Sequence, residues 1–154
     1  MKKIDLGQSL QIFGNLAVVV GILLLVYELG QNREMMEVQA RSDIANTLVA
    51  ISLQSAASPD IESVTVKANS NMPMTPVEAE HYSDLQSAFW TYRANVAYLF
   101  DRGLYSEAEY TAQKQRWARF LNTSAAQREW WCERRGLQPA EFAAEIDVLL
   151  ERPC

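Results

Sequence analysis

The sequence predicts an all-α protein with one N-terminal transmembrane helix, an amphipathic stalk that extends it, and a small helical bundle. Three observations support this fold class. No charged residue lies between Leu6 and Tyr27, and neither proline nor glycine occurs between Gln31 and Ser58. Beyond that point, apolar residues recur every three or four positions, and capping signals for helices replace the period-two alternation that strands would show.

The predicted transmembrane helix covers residues 6–29, after a short tail at residues 1–5. The 22 uncharged residues from Leu6 to Tyr27 span about 33 Å as a helix, against a hydrocarbon core of about 30 Å. A secretory signal would need a cleavage site of small residues, but charged and amide residues follow Tyr27 here. We therefore expect an uncleaved single-pass anchor.

The predicted stalk covers residues 30–57, and the predicted bundle covers residues 58–154. Apolar residues form a stripe along the stalk, and a stripe of this kind must be buried against another surface. We expect it to form an interface through Val38, Ala45, Leu48 and Ile51, with Ile44 and Leu53 on the same stripe.

The sequence predicts five helix starts in the bundle. They lie at Ser58-Pro59, Thr75-Pro76, Ser106, Ser124 and Gln138-Pro139, and three of them match the capping-box pattern. Gly103 and Gly136 are expected to end helices. The residues expected to face the core are Tyr82, Leu85, Phe89, Tyr92, Val96, Leu99, Tyr110, Trp117, Phe120, Leu121, Phe142, Ile146, Leu149 and Leu150.

Three segments give the chain a family resemblance. These are "VVVGILLLVYELGQNREM", "FWTYRANVAYLFDRGLYSEAEY" and "REWWCERR", the last preceding a final helix led by proline. In this order of parts, the chain resembles uncharacterised small bacterial single-pass membrane proteins, which have an N-terminal transmembrane helix followed by an all-helical domain and no assigned function. The resemblance implies an all-helical, membrane-anchored protein and transfers no active-site residue.

A row of glycines lies within the predicted transmembrane helix. Gly7, Gly14 and Gly21 are seven residues apart, so they drift only about 20° per step around a straight helix. Small residues let membrane helices pack closely, and Asn15 is deep enough to need a hydrogen-bond partner, although glycine is also common in membrane helices. We expect a transmembrane interface made of Gly7, Gln11, Gly14, Asn15, Val18 and Gly21.

A second candidate surface combines basic and aromatic residues between Lys114 and Arg135. It would contact anionic lipid headgroups or an acidic partner. The competing interpretation buries the tryptophans in the core and leaves the arginines solvated near helix ends. The residues of this predicted patch are Arg116, Arg119, Arg128, Trp130, Trp131, Arg134 and Arg135.

The sequence predicts a protein that is not an enzyme. A single histidine, two distant cysteines and the absence of known catalytic motifs leave no candidate catalytic residue. We expect no cofactor and no metal, since Met72, Met74 and His81 form only a weak Cu(I) pattern. Residues 28–154 carry a net charge of −6, which argues against nucleic-acid binding.

The expected function is assembly with other membrane helices, as an accessory subunit of a membrane complex or as a homo-oligomer. The alternative is a membrane-anchored binding module whose bundle captures a lipid or small ligand in a cavity lined by Tyr82, Phe89, Trp90, Tyr92 and Trp117. A pore ranks last, because polar residues occur at only one end of the helix.

The expected location is the bacterial inner membrane. Lys2 and Lys3 precede the helix, and this slight excess of basic charge favours a cytoplasmic N-terminus and an extracytoplasmic bundle. Cys132 and Cys154 would pair in an oxidising compartment and stay reduced in the cytoplasm. We favour the interpretation in which they are a small buried residue and a tail residue, and the sequence leaves their oxidation state open.

Overall fold

The computed structural model describes residues 6–154, apart from the side chains of Leu6 and Gln8. The predicted tail at residues 1–5, with Lys2 and Lys3, lies outside this range. Throughout the described part the chain is all-α, as predicted, and contains no strand. The helices are α1 (Leu6–Ala57), α2 (Pro59–Asn69), α3 (Pro76–Asp101), α4 (Glu107–Thr123), α5 (Ala125–Arg134) and α6 (Ala140–Asp147), with a 3-10 turn at Arg135–Leu137.

The chain divides into two compact units, Met1–Gln39 and Ala40–Cys154. The division falls within α1 and not at residue 58, where the stalk was predicted to give way to the bundle. Ala40 and Ile44 are buried in the second unit, so residues 40–57 of the predicted stalk belong to the bundle. Ile44, Leu48 and Ile51 of the apolar stripe are therefore packed against its own chain, whereas Ala45 and Leu53 of the same stripe stay exposed.

The capping signals predict the helix starts well. Thr75 forms a complete capping box, because its hydroxyl accepts from the Glu78 amide at 3.3 Å and its own amide donates to the Glu78 carboxylate at 2.8 Å. Lys67 also contacts that carboxylate, and together these groups lower the pKa of Glu78 to about 2. Ser58 precedes α2 but makes no side-chain capping bond, contrary to the prediction.

The other two capping boxes are only half formed. The Ser106 hydroxyl accepts from the Glu109 amide, but the Glu109 carboxylate accepts from the Ser106 hydroxyl and from Arg41 instead of turning back to the Ser106 amide. Ser124 accepts from the Gln127 amide at 3.4 Å and donates to Asn69 at the end of α2. The Glu109 carboxylate is thus diverted to Arg41 of α1, whereas the Gln127 Oε1 atom is buried without a hydrogen-bond partner.

Gly103 ends α3, as predicted. Its φ of 68° lies in the left-handed region that favours glycine, and the following amide of Leu104 donates to the Leu99 carbonyl at 2.9 Å. This six-residue closure turns the chain sharply from α3 towards α4. Gly136 lies inside the 3-10 turn that follows α5.

An aromatic core holds the second unit together. The Trp90 and Trp131 rings lie 4.4 Å apart between centroids, and Phe142 meets Trp131 edge-on at 6.1 Å. Partly buried Leu48 and Ile51 of α1, and Leu149 and Leu150 beyond α6, pack against this core. The buried residues of the cluster are Ile44, Trp90, Tyr92, Val96, Ala97, Tyr110, Trp117, Leu121, Trp130, Trp131, Phe142 and Ile146.

Two predicted core assignments need correction. Phe120 was expected to face inward, but its side chain remains 44% exposed at the surface of α4. Leu149 and Leu150 were expected on the apolar face of the last helix, but α6 ends at Asp147 and both leucines follow it. They still reach the core because the chain folds back over the Ile146 end of α6.

Candidate functional site

The predicted transmembrane interface lies in the first unit, on the N-terminal part of α1. Within this unit, and apart from the adjacent residues and the helix's own nearby backbone, no atom lies within 4 Å of the position that a Cβ would take at Gly7, Gly14 or Gly21. Gln11, Asn15 and Val18 are exposed. The face therefore has open space where the backbone of another helix would fit.

The apolar side chains around this face are exposed as well. Leu16, Leu23 and Val26 are 57%, 63% and 62% exposed, and none of the most apolar 18-residue window is buried. The helix has the length and composition that a membrane crossing requires, which signal sequences near an N-terminus also share. In water, such a surface would be far larger than soluble monomers leave uncovered.

The predicted stalk interface does not form one free surface. Leu48 and Ile51 pack against the aromatic core of the second unit, so neither is available to a partner as predicted. Ala45 is exposed in that unit, and Val38 is 64% exposed in the first. The stripe spacing was correct, but the bundle of the same chain supplies the cover.

The tryptophans of the predicted basic-aromatic patch do not lie at the surface. Trp131 and Trp130 are buried, and their indole nitrogens donate to Asp147 at 2.9 Å and to Ser83 at 3.2 Å. These tryptophans are core residues with satisfied donors, in line with the competing interpretation. They offer nothing to a lipid headgroup or an acidic partner.

The arginines of the patch divide into two groups. Arg134 pairs with Glu133 at 2.9 Å, and Arg135 pairs with Asp147. Arg116 and Arg119 are exposed on α4, Arg128 is half-buried, and these three form no salt bridge with any residue in the described range. Free positive charge therefore remains mainly on α4.

Cys132 and Cys154 form a disulfide, with their Cα atoms 5.4 Å apart. The interpretation as a small buried residue and a tail residue did not predict this bond, and the sequence had left the oxidation state open. Cys132 lies near the end of α5, and the segment after α6 returns to it, so folding brings together two residues that are 22 positions apart. The bond fixes the last residues of the sequence to the bundle.

The aromatic residues proposed to line a ligand cavity form part of the packed interior. Tyr82, Trp90, Tyr92 and Trp117 are buried, and Phe89 is half-buried. Trp117 meets Phe142 edge-on at 6.2 Å, so these two rings pack against one another in the interior. A groove of about 330 Å³ lies elsewhere on the second unit, lined by Ile51, Gln54, Ser55, Ser58, Asp60, Ile61, His81, Asp84, Leu85 and Ala88.

A buried polar group that the sequence analysis missed lies on α3. Arg93 is only 6% exposed, and its guanidinium stacks over Trp90 at 4.3 Å. Burial lowers its pKa to about 10, against which the phenols of Tyr92 and Tyr82 act. Arg93 therefore stays charged near neutral pH. Tyr92 belongs to the apolar seam that the sequence predicts, and Arg93 follows it directly. This adjacency is the only feature of the sequence that points to the burial of Arg93.

Comparison with known proteins identifies no relative: no family model, curated protein or solved structure matches this chain. The resemblance to small bacterial membrane proteins thus remains an expectation from the sequence. Functional reasoning rests on the surfaces and buried groups described above.

Proposed function

We propose that this protein is a non-enzymatic, single-pass protein of the bacterial inner membrane that acts through helix–helix assembly. It serves either as an accessory subunit of a membrane complex or as a homo-oligomer. The observation that carries the proposal is the N-terminal part of α1, where an uncharged apolar surface and an open glycine face coincide. Such a surface has a physical use only in lipid or against other apolar helices.

The glycine face supplies the specificity of the proposed contact. Leucine and valine side chains gain little by leaving lipid for each other, so close approach of backbones is what favours association. Gly14 and Gly21 permit that approach, with Val18 between them. Asn15 would donate to and accept from the neighbouring helix, because an amide without a partner is costly in hydrocarbon.

The proposal treats the apolar segment as a lasting membrane span and not as a signal sequence. The residues that follow it continue as helix, and Arg33 forms an ion pair with Glu37 at 3.3 Å one turn apart. A cleavage site requires small residues in an extended conformation, which this charged helical segment does not offer. The lack of a suitable cleavage site supports a permanent anchor.

The disulfide supports an orientation with the second unit outside the cytoplasm. Disulfides persist in the periplasm or extracellular space and are rare in the reducing cytoplasm. The Cys132–Cys154 bond therefore favours the same topology as the basic residues at positions 2 and 3. Two independent features of the chain support one orientation.

Replacing Gly14 and Gly21 together by leucine tests the proposed function. The two side chains would fill the open face and hold a neighbouring helix away, so assembly in mild detergent should be lost. Size-exclusion chromatography with light scattering gives the mass of the particle, and mass spectrometry identifies any protein that co-purifies. A particle of identical chains indicates a homo-oligomer, whereas a second protein indicates an accessory subunit.

The matched control replaces Val19 and Val26 by leucine. These positions are also seven residues apart and lie away from the glycine row, so assembly should be retained. Equal particle mass and composition in the wild type and the glycine double variant would refute the glycine face as an interface.

A further inference from the structure

Arg93 is a buried charge without a counter-charge. In the part of the chain that the structure describes, its guanidinium forms neither a salt bridge nor a hydrogen bond, and its Nη1 atom is fully enclosed and unpaired. Three aromatic rings lie close to it, with centroids at 4.3 Å for Trp90, 5.7 Å for Phe120 and 6.0 Å for Phe89. These rings attract the face of the cation but leave the in-plane N–H groups without acceptors.

Tyr92, which precedes Arg93 on α3, supplies a second buried polar group without a partner. The Tyr92 hydroxyl is buried without a hydrogen-bond partner. Burial raises its pKa, as does the Tyr105 phenol, while the guanidinium groups of Arg116 and Arg93 act against that rise. The positive charges of two arginines therefore act on the Tyr92 phenol, and no carboxylate is among the groups that do so.

Arg116 and Phe120 connect this region to the surface. They lie one turn apart on α4, so they share a side of that helix. The Phe120 ring centroid lies 5.7 Å from the Arg93 guanidinium, and Phe120 is itself 44% exposed, so this buried charge has a surface residue beside it.

We propose that Arg93, Tyr92 and Arg116 form a binding site for a phosphate group, beside the Phe120 ring. A stacked arginine with free in-plane donors binds a phosphate oxygen pair well, and a hydroxyl and a second guanidinium supply further donors to the remaining oxygens. The phosphate group comes from a lipid headgroup or from free phosphate. This site lies within the second unit and does not depend on the proposed assembly of α1.

The test uses the full-length protein in an uncharged detergent, with inorganic phosphate as the probe. Phosphate replaces chloride at constant ionic strength, and tryptophan fluorescence and the thermal midpoint are followed. Because Trp90 contacts the guanidinium, bound phosphate should change the emission and raise the midpoint. Arg93→Met should weaken phosphate binding by about ten- to a hundredfold, the effect of losing a charged hydrogen bond.

Two further variants separate binding from folding. Arg116→Gln changes an exposed residue and should weaken binding while the midpoint without phosphate stays unchanged. Arg102→Met is the matched control, since Arg102 also lies over an aromatic ring, Tyr98 at 5.1 Å, but is exposed. This control should bind phosphate like the wild type.

A second arm distinguishes the two sources of phosphate. Native mass spectrometry compares retention of phosphatidic acid with that of diacylglycerol, which lacks the phosphate. A response to inorganic phosphate indicates a site for the free ion, while Arg93-dependent retention of phosphatidic acid alone indicates a lipid headgroup. If neither ligand binds, or if both Arg93→Met and Arg116→Gln bind as the wild type does, the proposal is overturned.

Discussion

Cys132 and Cys154 are the residues whose chemistry says most about the surroundings of the second unit. Spacing alone left their state open, because two cysteines 22 residues apart are as compatible with free thiols as with a bond. Only the folded path of the chain after α6 brings them together. Their pairing is one basis for the proposed extracytoplasmic location of the second unit, because disulfides persist in oxidising compartments.

Thiol labelling in intact cells should detect this pairing. We expect neither cysteine to react with a maleimide until a reductant is added, because both sulfurs are held in the disulfide. In a Cys132→Ser variant, the exposed Cys154 should react in spheroplasts with a reagent that cannot cross the membrane. Reaction of both cysteines without reduction, and protection of Cys154 in intact spheroplasts, would place the second unit in the cytoplasm.

At other positions, residue type alone did not determine burial. Trp130 and Trp131 lie beside arginines in the sequence, and the choice between a surface patch and the core depended on acceptors from distant elements, Ser83 and Asp147. The burial of Arg93 was missed because a charged residue is expected at the surface unless it is paired. Three aromatic rings provide its environment here.

Among the elements, α1 has two different physical roles along its length. From Leu10 to Val38 its large apolar residues are exposed, whereas Ala40 and Ile44 are buried in the second unit. The sequence predicts the helix and its apolar stripe, because both follow from local periodicity. It could not predict that the stripe packs on the chain's own aromatic core, because that contact joins residues far apart in sequence.

Replacing Ile44 by alanine tests whether the C-terminal part of α1 belongs to the bundle. Ile44 is 5% exposed in the aromatic core, so we expect the free energy of unfolding to fall by about 2–5 kcal/mol. Urea unfolding followed by tryptophan fluorescence measures the change. Val49→Ala, on the same helix but 53% exposed, should change the stability by no more than about 0.5 kcal/mol.

If Ile44→Ala is as mild as Val49→Ala, residues 40–57 are a separate stalk, as the sequence first suggested.

Helix starts were more predictable than helix partners: Thr75 and Glu78 meet within one turn and form the complete capping box. The half-formed box at Ser106 shows how a contact with another element, here Arg41 of α1, diverts a local signal.

For the whole molecule, the sequence predicts the all-α class and the order of its parts, because hydropathy, periodicity and caps are local properties. The division at Gln39 and the disulfide depend on contacts between distant residues and were not predictable. The transmembrane interface remains a prediction about contacts with another chain. Gly7, Gln11, Gly14, Asn15 and Val18 are exposed and Gly21 is half-buried, and the space next to each glycine is open.

Photo-crosslinking in intact membranes tests the central claim most directly. A photoreactive amino acid is placed at Gln11 or Val18, on the glycine face, and at Leu16 or Leu23, on the opposite side of the helix. The account predicts a discrete protein adduct from positions 11 and 18 and only lipid adducts from positions 16 and 23. Lipid adducts alone from all four positions, or the same protein adducts from both sides, would contradict assembly through the glycine face.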